Sequence, residues 1–220
     1  MAGKGDHNLN ERFFSYRELI GGDIVGSSNS EALTEQLIDH IEGLPFITQI
    51  DVIGSRVEQT SDDYSDVDIL LSIKDITPDI ALYEVTESVK AKFQPAWYDY
   101  ANSLMPDKFL ISTFIGGDNP FTFYDIGILN TDRNLVYDKT QFENDHWIHL
   151  MKLWVMNYKY MMRDAQQFEN RFAAMMEKAN ISHYSDYREG FYQLLLKLKD
   201  KKTIKREYLS MLEELLLRNS

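Results

Sequence analysis

Val52-Ile53-Gly54-Ser55, ten further residues, then Asp66-Val67-Asp68-Ile69: this stretch decides the fold. The segment leading into it, Ile47-Thr48-Gln49-Ile50-Asp51-Val52-Ile53, alternates as a strand does, and Gly54-Ser55-Arg56 breaks it. Residues 67–73 then read as a second, largely buried strand. Side chains alternate along a strand, so Asp66 and Asp68 share one face and Val67 and Ile69 the other. Two carboxylates side by side repel unless a cation lies between them or water screens them. Mg²⁺ suits such a place: it takes oxygen ligands at ~2.0–2.1 Å, commonly one or two carboxylates plus substrate phosphates. A strand that ends in glycine lets its backbone approach a phosphate closely. Gly54, the Ser55 N–H and hydroxyl, and the Arg56 charge are therefore expected to hold phosphate.

Working outward, Ser28 and Glu31 form an S-x-x-E pattern ahead of a helix carrying Leu33, Leu37, Ile38 and Ile41 on one face. Before it, Phe13, Phe14, Tyr16, Leu19 and Ile20 suggest a short amphipathic helix ended by Gly21-Gly22. Pro78 stands at the first position of a helix that runs to Pro95. Residues 109–115 and 121–129 read as two strands, joined by Gly116-Gly117-Asp118-Asn119-Pro120, short enough for an antiparallel hairpin. From His146 the pattern is helical: Trp147, Leu150, Trp154, Tyr158, Met161, Ala165, Phe168, Phe172 and Met175 fall within one broad stripe. Two more helices are predicted near 186–199 and 204–218. Mixed strands and helices first, helices alone after, predict an α+β fold: a mixed-sheet domain over 1–140 and a helical bundle over 141–220.

The motif resembles the signature of the DNA polymerase beta-like nucleotidyltransferases: a hydrophobic strand, Gly-Ser, nine to thirteen residues, then Asp-hydrophobic-Asp-hydrophobic. The resemblance covers about residues 30–130. It implies transfer of a nucleoside monophosphate from a nucleoside triphosphate, with ATP as expected co-substrate and two Mg²⁺ ions. It implies that Asp66 and Asp68 are metal ligands and that a third carboxylate lies on a later neighbouring strand. Asp125, in Phe123-Tyr124-Asp125-Ile126-Gly127, has that setting. Size and domain order are similar to those of the aminoglycoside and lincosamide nucleotidyltransferases, which implies a small, hydroxylated, antibiotic-like acceptor, cationic acceptors included. Asp125 is one candidate for the base that takes the acceptor proton, and Asp145, Asp164 and Glu169 are others. The alternatives are a transferase acting on a protein or tRNA, and a nucleotide-binding module that has lost catalysis.

Composition sets the outer limits. An apolar fraction of 44% in 220 residues suits a folded chain. Zero cysteines exclude disulfides, zinc-thiolate sites and a thiol nucleophile, and fit a cytoplasmic protein. No apolar run approaches the ~20 residues of a membrane span, and Met1 to Asn10 lack a signal-peptide core. A net charge of -12 without a basic cluster argues against a nucleic-acid partner and weakly for a cationic acceptor. Lys152, Lys159 and Arg163 share one helical stripe almost opposite the apolar face, which reads as solvated surface. The five histidines show no metal-ligand spacing, and His146 and His149, three apart on a helix, carry no assigned role.

Overall fold

The computed structural model describes residues 28–54, 62–100, 108–129 and 142–218. The expected helix around Phe13–Ile20, the phosphate-binding candidates Ser55 and Arg56, and the domain boundary near 140 lie outside the described residues.

Helix α1 (Ser28–Glu42) leads into β1 (Ile47–Ile53) and β2 (Val67–Ile73). Helix α2 (Pro78–Phe93) follows, then β3 (Trp97–Tyr100), β4 (Lys108–Phe114) and β5 (Tyr124–Leu129). Four helices complete the chain: α3 (His146–Met162), α4 (Phe168–Lys178), α5 (Tyr187–Lys199) and α6 (Arg206–Arg218). The strands form one sheet in the order β1-β2-β5-β4-β3. Among the described strands the central β2-β5 pair is parallel, and β1-β2, β5-β4 and β4-β3 are antiparallel. The fold is α+β with a mixed sheet, as the ordering of patterns predicts. The four expected strands share that sheet, and β4 and β5 are antiparallel neighbours as expected.

Two apolar clusters hold the layers. One fills the space between one sheet face and the pair α1 and α2, with Leu37, Ile41, Ile69, Leu71, Val85 and Ile126 at its centre. Strand β2 explains this face: Val67, Ile69 and Leu71 are buried, while Asp68 between them is not. The second cluster joins α3 to α6 and takes in Trp97, Phe114, Phe121 and Phe123 from the sheet segments. Its centre is aromatic: Trp154 and Tyr158 stack at 5.2 Å, and Phe191 and Phe172 meet edge to face at 4.9 Å. Full burial of each such side chain is worth about 2–3 kcal/mol.

Three local readings need correction. Strand β3 is not foreseen by periodicity, because four residues with three aromatics carry no usable period. The stretch expected as a strand from Phe121 becomes one at Tyr124; Phe121 and Phe123 are instead buried in the bundle cluster. The long stripe from His146 is two helices. The break follows Met162, where Arg163 caps α3 and Asp164 takes a left-handed φ of 48°. No glycine or proline marks it in the sequence.

Candidate active site

Strand register places the acidic residues. Asp68 of β2 lies opposite Asp125 of β5, Asp125 opposite Ser112 of β4, and Ser112 opposite Asp99 of β3. Residues paired in register project to the same side, so Asp68, Asp125, Ser112 and Asp99 form one polar row across four strands. The row lies on the face opposite Val67, Ile69 and Leu71, away from α1 and α2. Asp66 stands one residue before β2, on the same side as Asp68.

Gly54 closes the β1 end of this row. Ile53 pairs with Asp68, and Gly54 follows with φ 82°. A Cβ built on Gly54 would stand 2.5 Å from Asp68 Oδ2, so neither the conformation nor the space admits a larger residue. Gly54→Ala is expected to cost about 2 kcal/mol or more, from left-handed strain and the clash together. Thermal unfolding checks it, and a variant that melts with the wild type would refute the close approach.

Helix α3 supplies the opposite wall, and here the expectation of a solvated basic stripe is corrected. Each of its three cations docks on a carboxylate. Lys152 Nζ is 3.3 Å from Asp99 Oδ2, and Lys159 Nζ is 3.2 Å from Asp66 Oδ1. Arg163 grips Asp62 in fork geometry, Nε to Oδ2 at 2.9 Å and Nη2 to Oδ1 at 2.5 Å. Lys159 is 2% exposed and lies 4.7 Å above the Phe123 ring, so it is a buried cation wedged between helix and sheet. Helix α3 is thus buried on two sides, by the bundle through its apolar stripe and by the sheet through its basic one.

The electrostatics follow from this packing. Burial pushes the Asp125 carboxyl above the usual carboxylate range, and the Asp66 charge adds to the rise. Lys152, the Ser112 hydroxyl, which donates to Asp125 Oδ1, and Lys159 oppose it. Burial likewise lowers Lys159 below the usual ammonium range, against the pull of Asp66. The Arg163 hydrogen bonds, helped by Ser65 and Tyr64 N–H, hold Asp62 at about 2 against an ordinary 3.8. A depressed carboxyl stabilises the fold above its unfolded value and loses that contribution as pH falls through the folded one. The Tm difference between wild type and Arg163→Met is therefore expected to be constant above about pH 5 and to shrink between about pH 4 and 2. The pair is solvent-exposed, so the difference is under about 1 kcal/mol. A Tm difference unchanged down to pH 2 would contradict the assignment.

The structure brings Asp68 and Asp125 together and leaves Asp66 turned onto Lys159. Among the described residues, no three acidic or imidazole groups are gathered as a ready metal cage. The other base candidates are committed elsewhere. Asp145 caps α3, accepting from Trp147 N and Ile148 N, and Glu169 accepts from the Tyr187 hydroxyl. Asp164 sits in the turn that ends α3. Sequence reasoning offers Asp99, with Asp145 and Glu143, only as an acidic wall for a cationic acceptor, and gives His149 no role. His149 Nδ1 lies 3.2 Å from Asp99 Oδ2, and the signal for it was its place three residues before Lys152.

No family model matches this chain, and no curated protein matches it. A solved structure of the polymerase core of TRAMP, an RNA surveillance complex, is similar at 14% identity with a TM-score of 0.37. The alignment covers 87% of this chain, which spans 58% of that one. A likeness at that level carries no argument about activity. Among the described residues, no helix is long and apolar enough to cross a membrane.

Proposed function

We propose that the chain is a nucleotidyltransferase, moving a nucleoside monophosphate, AMP from ATP in the first instance, onto a hydroxyl of a small acceptor. The observation that carries the proposal is the register of Asp68 with Asp125, one strand from the Gly54 turn, at the spacing the sequence motif predicts. Hard carboxylate oxygens suit Mg²⁺, which needs only one or two of them beside phosphate oxygens. Asp68 and Asp125 would hold it, and Asp66 would join once its ion pair with Lys159 opens. Bound there, Mg²⁺ would stabilise the attacking and leaving oxygens of an in-line displacement.

The chain's own groups do the rest. Gly54, with Ser55 and Arg56 after it, would cradle the phosphates where a side chain at Gly54 would block them. Ser112 fixes the Asp125 carboxyl by donating to Oδ1. Lys159, freed from Asp66, would face the phosphates as a tethered cation. The net charge of -12 favours a cationic acceptor, while Asp99 and Asp145, candidates for an acidic wall, are already paired or capping.

A second reading, a nucleotide-binding module without turnover, is favoured by the Lys159 ion pair on Asp66, because a buried ammonium can stand where a metal would. One experiment separates the two. The protein is incubated with Mg²⁺ and each of ATP, GTP, CTP and UTP labelled at the α-phosphorus, against aminoglycosides, lincosamides, tRNA and cell-extract proteins. Label on a small molecule supports the proposal. Nucleotide bound but never transferred supports the module, and label on tRNA or protein alone overturns the small acceptor.

A further inference from the structure

Helix α3 lies along the acidic residues from Asp99 to Asp66, and at the Asp66 end it delivers a cation of the chain's own. Lys159 Nζ is 3.2 Å from Asp66 Oδ1. Its charge also acts on Asp125, the residue in register with Asp68. One ammonium therefore serves two of the three carboxylates assigned above to Mg²⁺.

The ammonium is held there by more than charge. Lys159 is buried, and its Nζ stands 4.7 Å from the centre of the Phe123 ring, whose π face attracts a cation. Phe123 is itself packed into the aromatic cluster of the bundle. Ion pairs on either side fix the helix: Lys152 on Asp99, seven residues back, and Arg163 on Asp62, four residues on. Asp62 in turn accepts from Tyr64 N–H and the Ser65 hydroxyl, so the turn leading into Asp66 is fixed as well. Both members of the Lys159 pair are thus presented by preset backbone. Solvent screens a buried charge poorly, so this ammonium repels an incoming dication several times more strongly than a surface lysine would. A divalent ion offered alone must displace Lys159 or share Asp66 with it. An ion that arrives on a triphosphate brings anionic oxygens that Lys159 can take in exchange for Asp66.

We propose that Lys159 is the resident counter-cation of the site: it keeps a free divalent ion off Asp66, Asp68 and Asp125 until a nucleoside triphosphate supplies a new partner for its ammonium. This inference rests on the nucleotidyltransferase reading above. Lys159 is then a specificity-determining residue, because it makes the carboxylates select the metal–triphosphate chelate over the free ion. The exchange makes and breaks ion pairs only, and no covalent bond changes.

The test titrates Mn²⁺, read by electron paramagnetic resonance, into the full chain as wild type, Lys159→Met and Lys199→Met, first alone and then with a non-hydrolysable ATP analogue. Lys159→Met is expected to bind Mn²⁺ alone at least about tenfold more tightly than wild type, because a unit charge is removed at close range in a poorly screened place. The gain should survive about 0.5 M KCl, since salt screens buried charges little. Lys199→Met strips an equal charge from the pair with Glu213 between α5 and α6, and should bind as wild type does. With the analogue present, wild type should bind Mn²⁺ and the advantage of Lys159→Met should vanish or reverse. Nitrogen NMR of the wild-type Lys159 side chain, which depends on no variant's folding, should shift with Mg²⁺ and the analogue together and not with Mg²⁺ alone. Equal binding of Mn²⁺ alone by wild type and Lys159→Met, an advantage undiminished by the analogue, or a Lys159 signal that moves with Mg²⁺ alone overturns the inference and leaves the parent reading standing. Mn²⁺ bound by neither chain, with the analogue or without it, overturns both.

Discussion

Asp68→Asn is expected to lower nucleotidyl transfer by at least about 10³-fold and to leave the fold intact. A carboxylate that holds Mg²⁺ contributes several kcal/mol to transition-state charge stabilisation, and each 1.36 kcal/mol is tenfold in rate. Asn keeps the shape of Asp68 and loses the charge, so the sheet register beside Asp125 should persist. Asp125→Asn should be equally inactive, and it should also change the stability. Burial raises the Asp125 carboxyl, so its folded value lies above its unfolded one. Such a group destabilises the fold progressively as pH rises from the unfolded value through the folded one. Without metal, Asp125→Asn should therefore melt above the wild type at neutral pH, and the gap should close at acid pH. Calorimetry across that range measures it. A variant less stable than wild type at pH 7 would show that the Ser112 bond outweighs the burial cost.

Asp66→Asn should behave differently from its neighbour. Taken alone, the sequence motif suggests that removing either Asp66 or Asp68 relieves repulsion and raises the melting temperature. The structure reverses this for Asp66, because Lys159, 2% exposed, has that carboxylate as its ion-pair partner. Stripping one member from a buried pair costs about 3–5 kcal/mol, and somewhat less here because the Asp66 side chain is 23% exposed. About 2–3 kcal/mol is expected at pH 7. Burial already lowers Lys159, and loss of Asp66 lowers it further, so the folded chain releases the proton before the unfolded one. The variant should therefore regain stability as pH rises toward the ordinary ammonium range. Lys159→Met should rescue Asp66→Asn, since an apolar side chain needs no counter-ion. Chemical denaturation of the two single variants and the double variant yields the coupling. Additive single costs would mean that the pair is not coupled.

The sequence discloses some parts of this molecule and hides others. Strands β1 and β2 and the pair Asp66 and Asp68 are legible because period-two alternation and the Gly-Ser spacing are local. Asp125 is legible because a carboxylate inside an otherwise apolar strand is costly without a purpose. The basic stripe of α3 is not legible. A cation whose counter-ion comes from another segment reads as a solvated cation, and Lys159 meets Asp66 across ninety-three positions of chain. The pairing of Asp99 escapes for the same reason: its partners His149 and Lys152 lie fifty or more residues on. Strand β3 escapes because four residues with three aromatics carry no usable period. The turn at Arg163-Asp164 escapes because the apolar stripe continues in phase on both sides of it.

The row Asp68, Asp125, Ser112 and Asp99 has one consequence that separates nucleotidyl transfer from every other use of a nucleotide. The protein is incubated with Mg²⁺, the acceptor panel, and ATP labelled in one sample at the α-phosphorus and in another at the γ-phosphorus. If the row directs nucleotidyl transfer, the α-label moves to the acceptor, the γ-label leaves as pyrophosphate, and Asp68→Asn does neither. Transfer of the γ-label to the acceptor, or equal α-label transfer by wild type and Asp68→Asn, would contradict it.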